Sequence, residues 1–253
     1  MRLLIDGDIL LYKIGFAVQH KISDEEVELE PFSHATYLMR RLVNKLLKTC
    51  ANCDYNLVIS GSNNFRYEVA KTQPYKGNRS DTDKPLYYIR LKKYLESHYK
   101  DNLLVAEGEA DDLLGSLSSA DPNNIIVATI DKDLMMIPGI NLNIDKLVFT
   151  YISDPGKLWM ETTTSNKKVL RGYGFKWFCA QMPLGDTADH IPGISGVGPV
   201  KTLTILDKCT TIRNMWSTVI RTYRKHRVIN RMDEIRQLLW IHRNKSFEET
   251  IKK

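Results

Sequence analysis

The chain has 253 residues, enough for one sizeable domain or for one domain with a smaller appendage. Hydrophobic residues make up 43% of it and charged residues 26%, which excludes a wholly disordered chain. The 36 Lys and Arg against 30 Asp and Glu give a net charge of +6, which is compatible with a polyanionic partner. No apolar run approaches the roughly 18 residues of a membrane helix, and Asp6 comes too early for a secretory signal. We therefore expect a soluble, intracellular (cytoplasmic) protein.

The four cysteines do not form a pattern typical of a zinc site or of a disulfide framework. Cys50 and Cys53 form a single CxxC pair with no second matched pair, and Cys179 and Cys209 lie far apart. We therefore expect reduced thiols.

Short β-branched and leucine-rich segments alternate with helical patterns through the first 150 residues. The helical pattern is clearest in residues 33–48, where apolar residues recur at i, i+3, i+4 and i+7 and the basic residues lie off that stripe. Strands separated by helices predict an α/β fold with a mostly parallel central sheet flanked by helices. The predicted strands are 3–5, 56–60, 103–106, 125–130 and a weaker pair near Leu142 and Val148. The other helices predicted in this part are 86–98 and 110–117.

The pattern changes after residue 153. Residues 154–174 mix Pro, Gly, Thr, Asn and Lys, which predicts a connector or a weakly structured hairpin. Beyond them we find no strand pattern, and four segments have a helical pattern: 175–182, 200–206, 211–223 and 230–242. We therefore predict an α/β core over residues 1–174 and an all-helical part over residues 175–253.

Acidic residues follow three of the predicted strands. They are Asp6 and Asp8 after the first, Glu107, Glu109, Asp111 and Asp112 after the third, and Asp131 and Asp133 after the fourth. Each one alone could be a helix N-cap or a first-turn acid. The carboxyl ends of parallel strands share one edge of the sheet, so we expect these acids to meet in one cleft. Two carboxylates about 4 Å apart repel by about 4 kcal/mol at a surface-like dielectric, so the cluster needs cations. Oxygen ligands without His or Cys favour Mg²⁺ or Mn²⁺.

A further acidic pair precedes a glycine-rich turn. Asp186 and Asp189 are three residues apart, so on a helical turn they face the same way. The glycines that follow are Gly193, Gly196 and Gly198. Glycine permits a tight turn, and the helix N-terminus after it offers N–H groups to a phosphate, with Lys201 nearby. The pattern predicts a helix–hairpin–helix that binds a nucleic-acid backbone, and a plain turn between two helices is the alternative.

Basic and aromatic residues are interleaved between residues 65 and 94. Cations neutralise phosphates and aromatic rings stack on unpaired bases, so this segment could hold a single strand over the acidic cleft. The alternative is a solvated face with core tyrosines. The residues concerned are Phe65, Arg66, Tyr67, Tyr75, Lys76, Arg79, Tyr87, Tyr88, Arg90, Lys92, Lys93 and Tyr94.

The sequence resembles the flap endonuclease or 5′-nuclease family. It looks most like the small 5′→3′ exonucleases of bacteriophages and the N-terminal nuclease of bacterial DNA polymerase I. The resemblance spans nearly the whole chain and rests on five segments in the family's order: LLIDGDILLYK, FRYEVAKTQPYKGNR, EGEADDLLG, TIDKDLMM and GDTADHIPGISGVG. It implies a PIN-like core with a helical arch over the active site and a C-terminal helix–hairpin–helix subdomain.

The resemblance also implies which residues act. Asp6, Glu109 and Asp111 would hold the first of two Mg²⁺ or Mn²⁺ ions. Five more acids would hold or orient the second: Asp112, Asp131, Asp133, Asp186 and Asp189. The predicted contacts to the scissile phosphate and the DNA are Lys13, Arg66, Tyr75, Lys76, Arg79, Gly193, Gly196, Gly198 and Lys201. Lys13, Lys76, Asp6 and Asp131 are the predicted catalytic residues, and the hairpin carbonyls would bind K⁺.

The chain departs from the family pattern at two places. The family usually carries an Asp after its second strand, but here residues 58–62 read Val-Ile-Ser-Gly-Ser without a carboxylate. This departure predicts weaker binding of the first metal or a lower rate. The hairpin is also one residue longer than usual before Lys201, which leaves the role of that lysine open.

These features predict a metal-dependent 5′→3′ exonuclease or 5′-flap endonuclease, active as a monomer. Its substrates would be DNA ends, flaps or junctions, with RNA in hybrids as a further candidate. One alternative is a DNA-junction binding protein of the same fold with weakened catalysis. The other is a haloacid-dehalogenase-like phosphatase in which Asp6 becomes phosphorylated, which leaves Glu109, Asp111 and the glycine hairpin unexplained.

Overall fold

The computed structural model describes residues 1–23, 26–79, 84–164 and 166–252. The strands are β1 (Arg2–Asp6), β2 (Gln19–Lys21), β3 (Val27–Leu29), β4 (Asp54–Ile59), β5 (Leu103–Val105), β6 (Ile125–Thr129), β7 (Gly139–Asn143), β8 (Phe149–Ile152), β9 (Lys157–Thr162), β10 (Lys168–Tyr173), β11 (Gly185–Asp186) and β12 (Ile191–Pro192). The helices are α1 (Gly7–Ala17), α2 (Phe32–Thr49), α3 (Arg66–Val69), α4 (Tyr88–His98), α5 (Ala110–Ala120), α6 (Phe175–Leu184), α7 (Pro199–Leu206), α8 (Ile212–Lys225), α9 (Met232–Leu239) and α10 (Phe247–Ile251). Within these ranges no helix is both long and apolar enough to cross a membrane.

Six strands form the central sheet, in the order β5-β4-β1-β6-β7-β8. Its strands run parallel except β8, which is antiparallel to β7. The prediction of a mostly parallel sheet flanked by helices is confirmed. Successive residues of β1 are buried on opposite faces, with Leu3 and Ile5 in one hydrophobic cluster and Leu4 in the other. Because helices cover both faces, the central strands are continuously apolar.

Helices α1, α2 and α4 cover one face of the sheet. The apolar stripe predicted in residues 33–48 is the buried side of α2, where Ala35, Met39, Val43 and Leu46 are inaccessible to solvent. Helix α1, the β2–β3 hairpin and α10 were not predicted. Apolar residues surround α1 instead of forming a stripe, so its sequence has no clear helical period.

The other face is covered by α5 and by the C-terminal helices. Phe178 of α6 and Trp240 belong to the same buried cluster as Leu4 of β1. The helices beyond residue 174 therefore share a hydrophobic cluster with this face of the sheet, and the division at residues 174 and 175 stays a prediction. The four cysteines are free, as expected.

The C-terminal part is not entirely helical, which corrects the prediction. Strand β11 pairs with β12 within residues 185–192. Residues 154–174, predicted as a connector or a weakly structured hairpin, contain the β9–β10 hairpin. Two-residue strands are too short to produce an alternating pattern, so the sequence does not reveal them. The helix predicted at 230–242 is shorter, because α9 ends at Leu239 after a 3₁₀ turn at Ile229–Arg231.

Residues 60–87 cross from the carboxyl end of β4 towards α4, where the resemblance implies a helical arch. The structure describes 60–79 and 84–87 of this segment. In those residues the four-residue helix α3 is the helical element, and the remainder consists of turns and irregular chain. This crossover borders the carboxyl edge of the sheet.

Phe178 tests whether the C-terminal helices share the core of the sheet. Its side chain is fully buried and its ring lies 5.0 Å from the Trp240 ring and 5.8 Å from that of Phe247. We expect Phe178→Ala to lower the free energy of unfolding by about 3–5 kcal/mol in urea titrations. The control Phe149→Ala, at a side chain that is 46% exposed, should change it by less than about 1 kcal/mol. An equally small loss for Phe178→Ala would contradict a shared core.

Candidate active site

A cleft of about 740 Å³ lies at the carboxyl edge of the central sheet. Its carboxylates come from the ends of β1, β6 and β11, from the first turns of α1 and α5, and from the residue before α5. They are Asp6, Asp8, Glu109, Asp111, Asp131, Asp133, Asp186 and Asp189. Acids far apart in sequence thus lie together, as the parallel topology predicts.

Asp6 is held at the end of β1 by hydrogen bonds from both sides. Its carboxylate accepts a hydrogen bond from the Ile9 N–H at 3.1 Å, capping α1, and another from the Thr129 hydroxyl at 2.7 Å. The Thr129 oxygen in turn accepts from the Asp131 N–H at 2.9 Å. Burial raises the pKa of Asp6 to about 7, and repulsion from Asp8 and Asp131 adds to this rise.

Burial and neighbouring negative charges also raise the pKa values of Asp111 and Asp133. Burial raises the pKa of Asp111 well above its usual value, and the charges of Asp131 and Asp6 raise it further. Burial, followed by the charge of Asp131, raises the pKa of Asp133 to about 6. The cleft therefore holds more negative charge than its own surroundings neutralise.

Among the residues that the structure describes, four basic side chains line this cleft: Lys76, Arg79, Lys84 and Lys132. Lys76 contacts Glu109, and Arg79 pairs with Asp189. Lys132 lies 2.9 Å from Asp133 and also contacts Asp186. No sequence pattern indicates this role of Lys132, because a lysine between two acids is usually solvated.

The chemistry of the donor set fits hard divalent cations. The lining has carboxylate oxygens and no His or Cys among the described residues, which favours Mg²⁺ or Mn²⁺ over zinc. In the described part of the chain, no three acidic, His or Cys side chains converge closely enough to form a ready-made metal site. The basic groups of Lys76 and Lys132 contact these carboxylates, so divalent ions would compete with them. The raised pKa values of Asp6 and Asp111 indicate the negative charge that such ions would neutralise.

Asp112 and Arg66 lie outside the cleft, in contact with each other. The Arg66 guanidinium donates to both carboxylate oxygens of Asp112, at 2.6 and 3.0 Å, and to the carbonyls of Leu238 and Trp240. Burial favours a higher pKa for Asp112, but the hydrogen bonds and charge of Arg66 outweigh it and lower that pKa. Adjacent residues of a helix point about 100° apart, so Asp112 cannot share the direction of Asp111. The side chain of Arg66 is 3% exposed, and its guanidinium also lies 2.9 Å from the carboxylate of Glu109, so it braces a cleft acid from inside the protein.

Lys13 and Tyr75 also differ from their predicted surroundings. Lys13 pairs with Asp145 at 2.5 Å and is not among the residues that line the cleft. Tyr75 is buried, and its hydroxyl donates to Asp189 at 3.0 Å or to Glu109 at 3.1 Å. Tyr75 therefore orients cleft carboxylates, whereas Arg79 is 44% exposed.

The glycine-rich loop leads from β12 into α7. A Cβ at Gly193 would lie 2.3 Å from the Leu184 carbonyl oxygen, so only glycine fits there. Gly196 has a φ of +75°, and a Cβ at Gly196 or Gly198 would meet open space. The Lys201 amine donates to the Gly196 carbonyl at 3.2 Å, so this lysine closes the loop. The open side of the loop leaves room for a close ligand.

A family model described as "5′-3′ exonuclease, N-terminal resolvase-like domain" matches residues 1–170. The chain belongs to this 5′-3′ exonuclease family. The 5′-3′ exonuclease of Buchnera aphidicola subsp. Schizaphis graminum is 29% identical over 227 residues, which cover 86% of this chain and 73% of that protein. DNA polymerase I of Geobacillus stearothermophilus is 24% identical over 225 residues, which cover 85% of this chain and 24% of that protein.

Solved structures share the fold. The T5 D15 protein co-crystallised with metal ions has a TM-score of 0.61 at 14% identity, covering 95% of this chain and 88% of that one. The T5 5′-exonuclease with bound zinc has a TM-score of 0.59 at 14% identity, covering 94% and 97%. The predicted family and PIN-like fold are confirmed, and the chain is a nuclease of this family. The phosphatase alternative is not supported.

The raised pKa values predict how stability depends on pH. The pKa of Asp6, about 7 when folded, exceeds its ordinary value of 3.8, so the folded protein retains a proton that the unfolded chain has lost. We therefore expect the melting temperature in EDTA to fall as pH rises between these two pKa values, from about 4 to about 7. Asp6→Asn should show a shallower fall, and Asp54→Asn, at the exposed amino end of β4, should behave as the unmodified protein.

Mn²⁺ should raise the melting temperature more at pH 8 than at pH 6, because carboxylate ligands must lose their protons to bind metal. Equal stabilisation at the two pH values, or no difference between Asp6→Asn and Asp54→Asn, would contradict this assignment of charge.

Proposed function

We propose that the protein is a metal-dependent 5′→3′ exonuclease or 5′-flap endonuclease that hydrolyses DNA phosphodiesters. The observation that carries this proposal is the carboxylate-lined cleft at the sheet edge of a chain that belongs to the 5′-3′ exonuclease family. Additional support comes from the T5 D15 flap endonuclease, whose structure is a pseudo-enzyme–product complex with DNA and metal ions. That protein is 15% identical to this chain, with a TM-score of 0.59.

The proposed metal ligands form two groups. Asp6, Glu109 and Asp111 would hold one Mg²⁺ or Mn²⁺ ion, and the second would be held by Asp131, Asp133, Asp186 and Asp189. Such a pair of ions lowers the pKa of a bound water and stabilises the attacking and leaving oxygens of the phosphodiester. Asp112 is left out of both groups, because Arg66 occupies both of its carboxylate oxygens.

The basic side chains of the cleft would then bind the substrate. Lys76 and Arg79 contact Glu109 and Asp189, so they can pair with phosphate oxygens when those carboxylates are engaged by metal. Tyr12, Tyr67 and Tyr88 also line the cleft, and their rings can stack on unpaired bases of a 5′ strand. Lys13 has no proposed role, since its amine pairs with Asp145.

The glycine-rich loop is the proposed contact to duplex DNA. The backbone at Gly196 and Gly198 faces open space at the start of α7, where free N–H groups can meet a phosphate. Pro199 at the first position of α7 lacks an N–H, so Val200 and Lys201 offer the nearest ones. We extend the proposal to K⁺ at the loop carbonyls, to DNA flaps and junctions and RNA hybrids as substrates, and to a monomeric, intracellular enzyme with a nuclease core (1–174) and a DNA-binding part (175–253).

The absence of an acid in residues 58–62 favours a second candidate, a junction-binding protein with weakened catalysis. Both candidates would bind flap DNA, but only the nuclease would release products that depend on a divalent ion. Cleavage therefore separates them.

The test is incubation of a 5′-labelled flap duplex with Mg²⁺ or Mn²⁺, and in parallel with EDTA. We expect short 5′ products only in the samples that contain the divalent metal. Asp111→Asn should lower the rate of cleavage by about 100-fold or more, because it removes a metal ligand. Asp54→Asn, far from the cleft, should retain the rate. Binding of the flap without products in either metal would favour the second candidate.

A further inference from the structure

Strands β4 and β6 flank β1 in the central sheet. Of these two neighbours, β4 is the one that ends without an acid of its own. Ser60 and Gly61 follow Ile59, whereas Asp6 ends β1 and Asp131 follows β6. An acid at position 61 would not fit, because a Cβ there would lie 2.1 Å from the Ala106 carbonyl oxygen. With Ser60 and Gly61 at this strand end, a carboxylate above β4 comes from another part of this chain.

Asp8 fills that space from the first turn of α1. Its carboxylate accepts hydrogen bonds from the Ser60 N–H, at 3.3 Å to Oδ1 and 3.2 Å to Oδ2, and a further one from the Ser60 hydroxyl. The backbone of the β4 end thus binds a carboxylate that belongs to a residue 52 positions earlier. Asp8 also lines the acidic cleft.

Ser60 connects this carboxylate to the other acids. Its Oγ accepts a hydrogen bond from the Ala110 N–H at 2.9 Å, and Ala110 lies between Glu109 and Asp111 in the chain. The Ser60 carbonyl accepts from the Lys92 amine at 3.1 Å, which brings a cation to the same corner. Ser60 therefore holds both the Asp8 carboxylate and the first residue of α5, and the charge of Asp8 acts on Asp6 in the same cleft.

Capping of α1 does not account for this arrangement. Asp6 already caps the helix through the Ile9 N–H, and Asp8 turns towards β4 instead of towards a helix N–H. A first-turn acid that only complements the helix dipole has no need of hydrogen bonds to another strand.

We propose that Asp8 is a metal ligand of this cleft and supplies the carboxylate that the chain lacks after β4. The proposal rests on the proposed metal-dependent function. It explains the serine at position 60: a hydroxyl donates to the Asp8 carboxylate, whereas a second carboxylate there would repel it. We therefore expect the site to need one carboxylate at this place, and an aspartate at position 8 or at position 60 can supply it.

The test measures Mn²⁺ binding to metal-free protein by the electron paramagnetic resonance signal of free Mn²⁺. We expect Asp8→Asn to weaken binding by about 10–100-fold, and the exchange Asp8→Ser/Ser60→Asp to recover most of that loss. Asp54→Asn is the matched control and should bind as the unmodified protein. Ser60→Ala removes the hydroxyl but keeps the carboxylate, so it should lose less affinity than Asp8→Asn. Circular dichroism melts confirm that each variant is folded.

Three results would overturn the proposal: no Mn²⁺ binding by the unmodified protein, unchanged binding by folded Asp8→Asn, or no recovery in the folded exchange variant. The last result, together with an equal loss in Ser60→Ala, would make Asp8 a tether between α1 and β4. Flap cleavage in the same samples tests the proposed function separately. Mn²⁺ binding that depends on Asp8 without cleavage would contradict the nuclease and leave the ligand assignment intact.

Discussion

Repulsion between buried carboxylates is the constraint on which the rest of the active-site region depends. A parallel sheet brings the ends of β1 and β6 to one edge, and the acids at those ends lose water as the helices close over both faces. Burial raises the pKa of Asp6, Asp111 and Asp133, and each charge raises the others. The basic side chains of the protein neutralise only part of this negative charge. Lys76 contacts the acids of the cleft from the crossover, and Lys132 contacts them from the end of β6. Divalent cations are the natural complement to the charge that remains.

A second ion pair, between Arg66 and Asp112, holds the cleft against the C-terminal part. Arg66 lies at the start of α3, Asp112 in the first turn of α5, and the Leu238 and Trp240 carbonyls at the end of α9. One guanidinium therefore ties the crossover, the acidic helix and the C-terminal helices together. Removing either partner would leave a buried charge unpaired, which costs several kcal/mol. These two residues of the family segments thus have a positioning role, although they belong to the segments that also supply ligands.

Periodicity and strand-end chemistry made most of the fold predictable. The stripe of α2 and the apolar runs of β1, β4 and β6 lie where the sequence predicted them, because burial on one or both faces leaves a direct pattern. The same logic placed Asp6, Glu109 and Asp131 in one cleft. The sequence could not tell Asp111 from Asp112, since both are acids at the start of one helix and only the packed position of Arg66 separates them.

Long-range contacts explain the other differences. Arg66 meets a carbonyl 172 residues away, and Asp8 meets Ser60 52 residues away, so neither role is visible in a local segment. Lys13 lies in a segment shared with the family, yet its amine contacts Asp145 after β7. The missing acid after β4 is evident from sequence, whereas the carboxylate at that strand end is evident only when α1 is packed beside it.

The most direct measurement is anomalous diffraction from crystals grown with Mn²⁺ at mildly alkaline pH. If divalent ions balance the charge of the cleft, Mn²⁺ peaks will lie among Asp6, Asp111 and Asp131, and the amines of Lys76 and Lys132 will have moved away from the carboxylates they contact. A cleft without peaks at saturating Mn²⁺, with both lysines still paired to Glu109 and Asp186, would contradict the account.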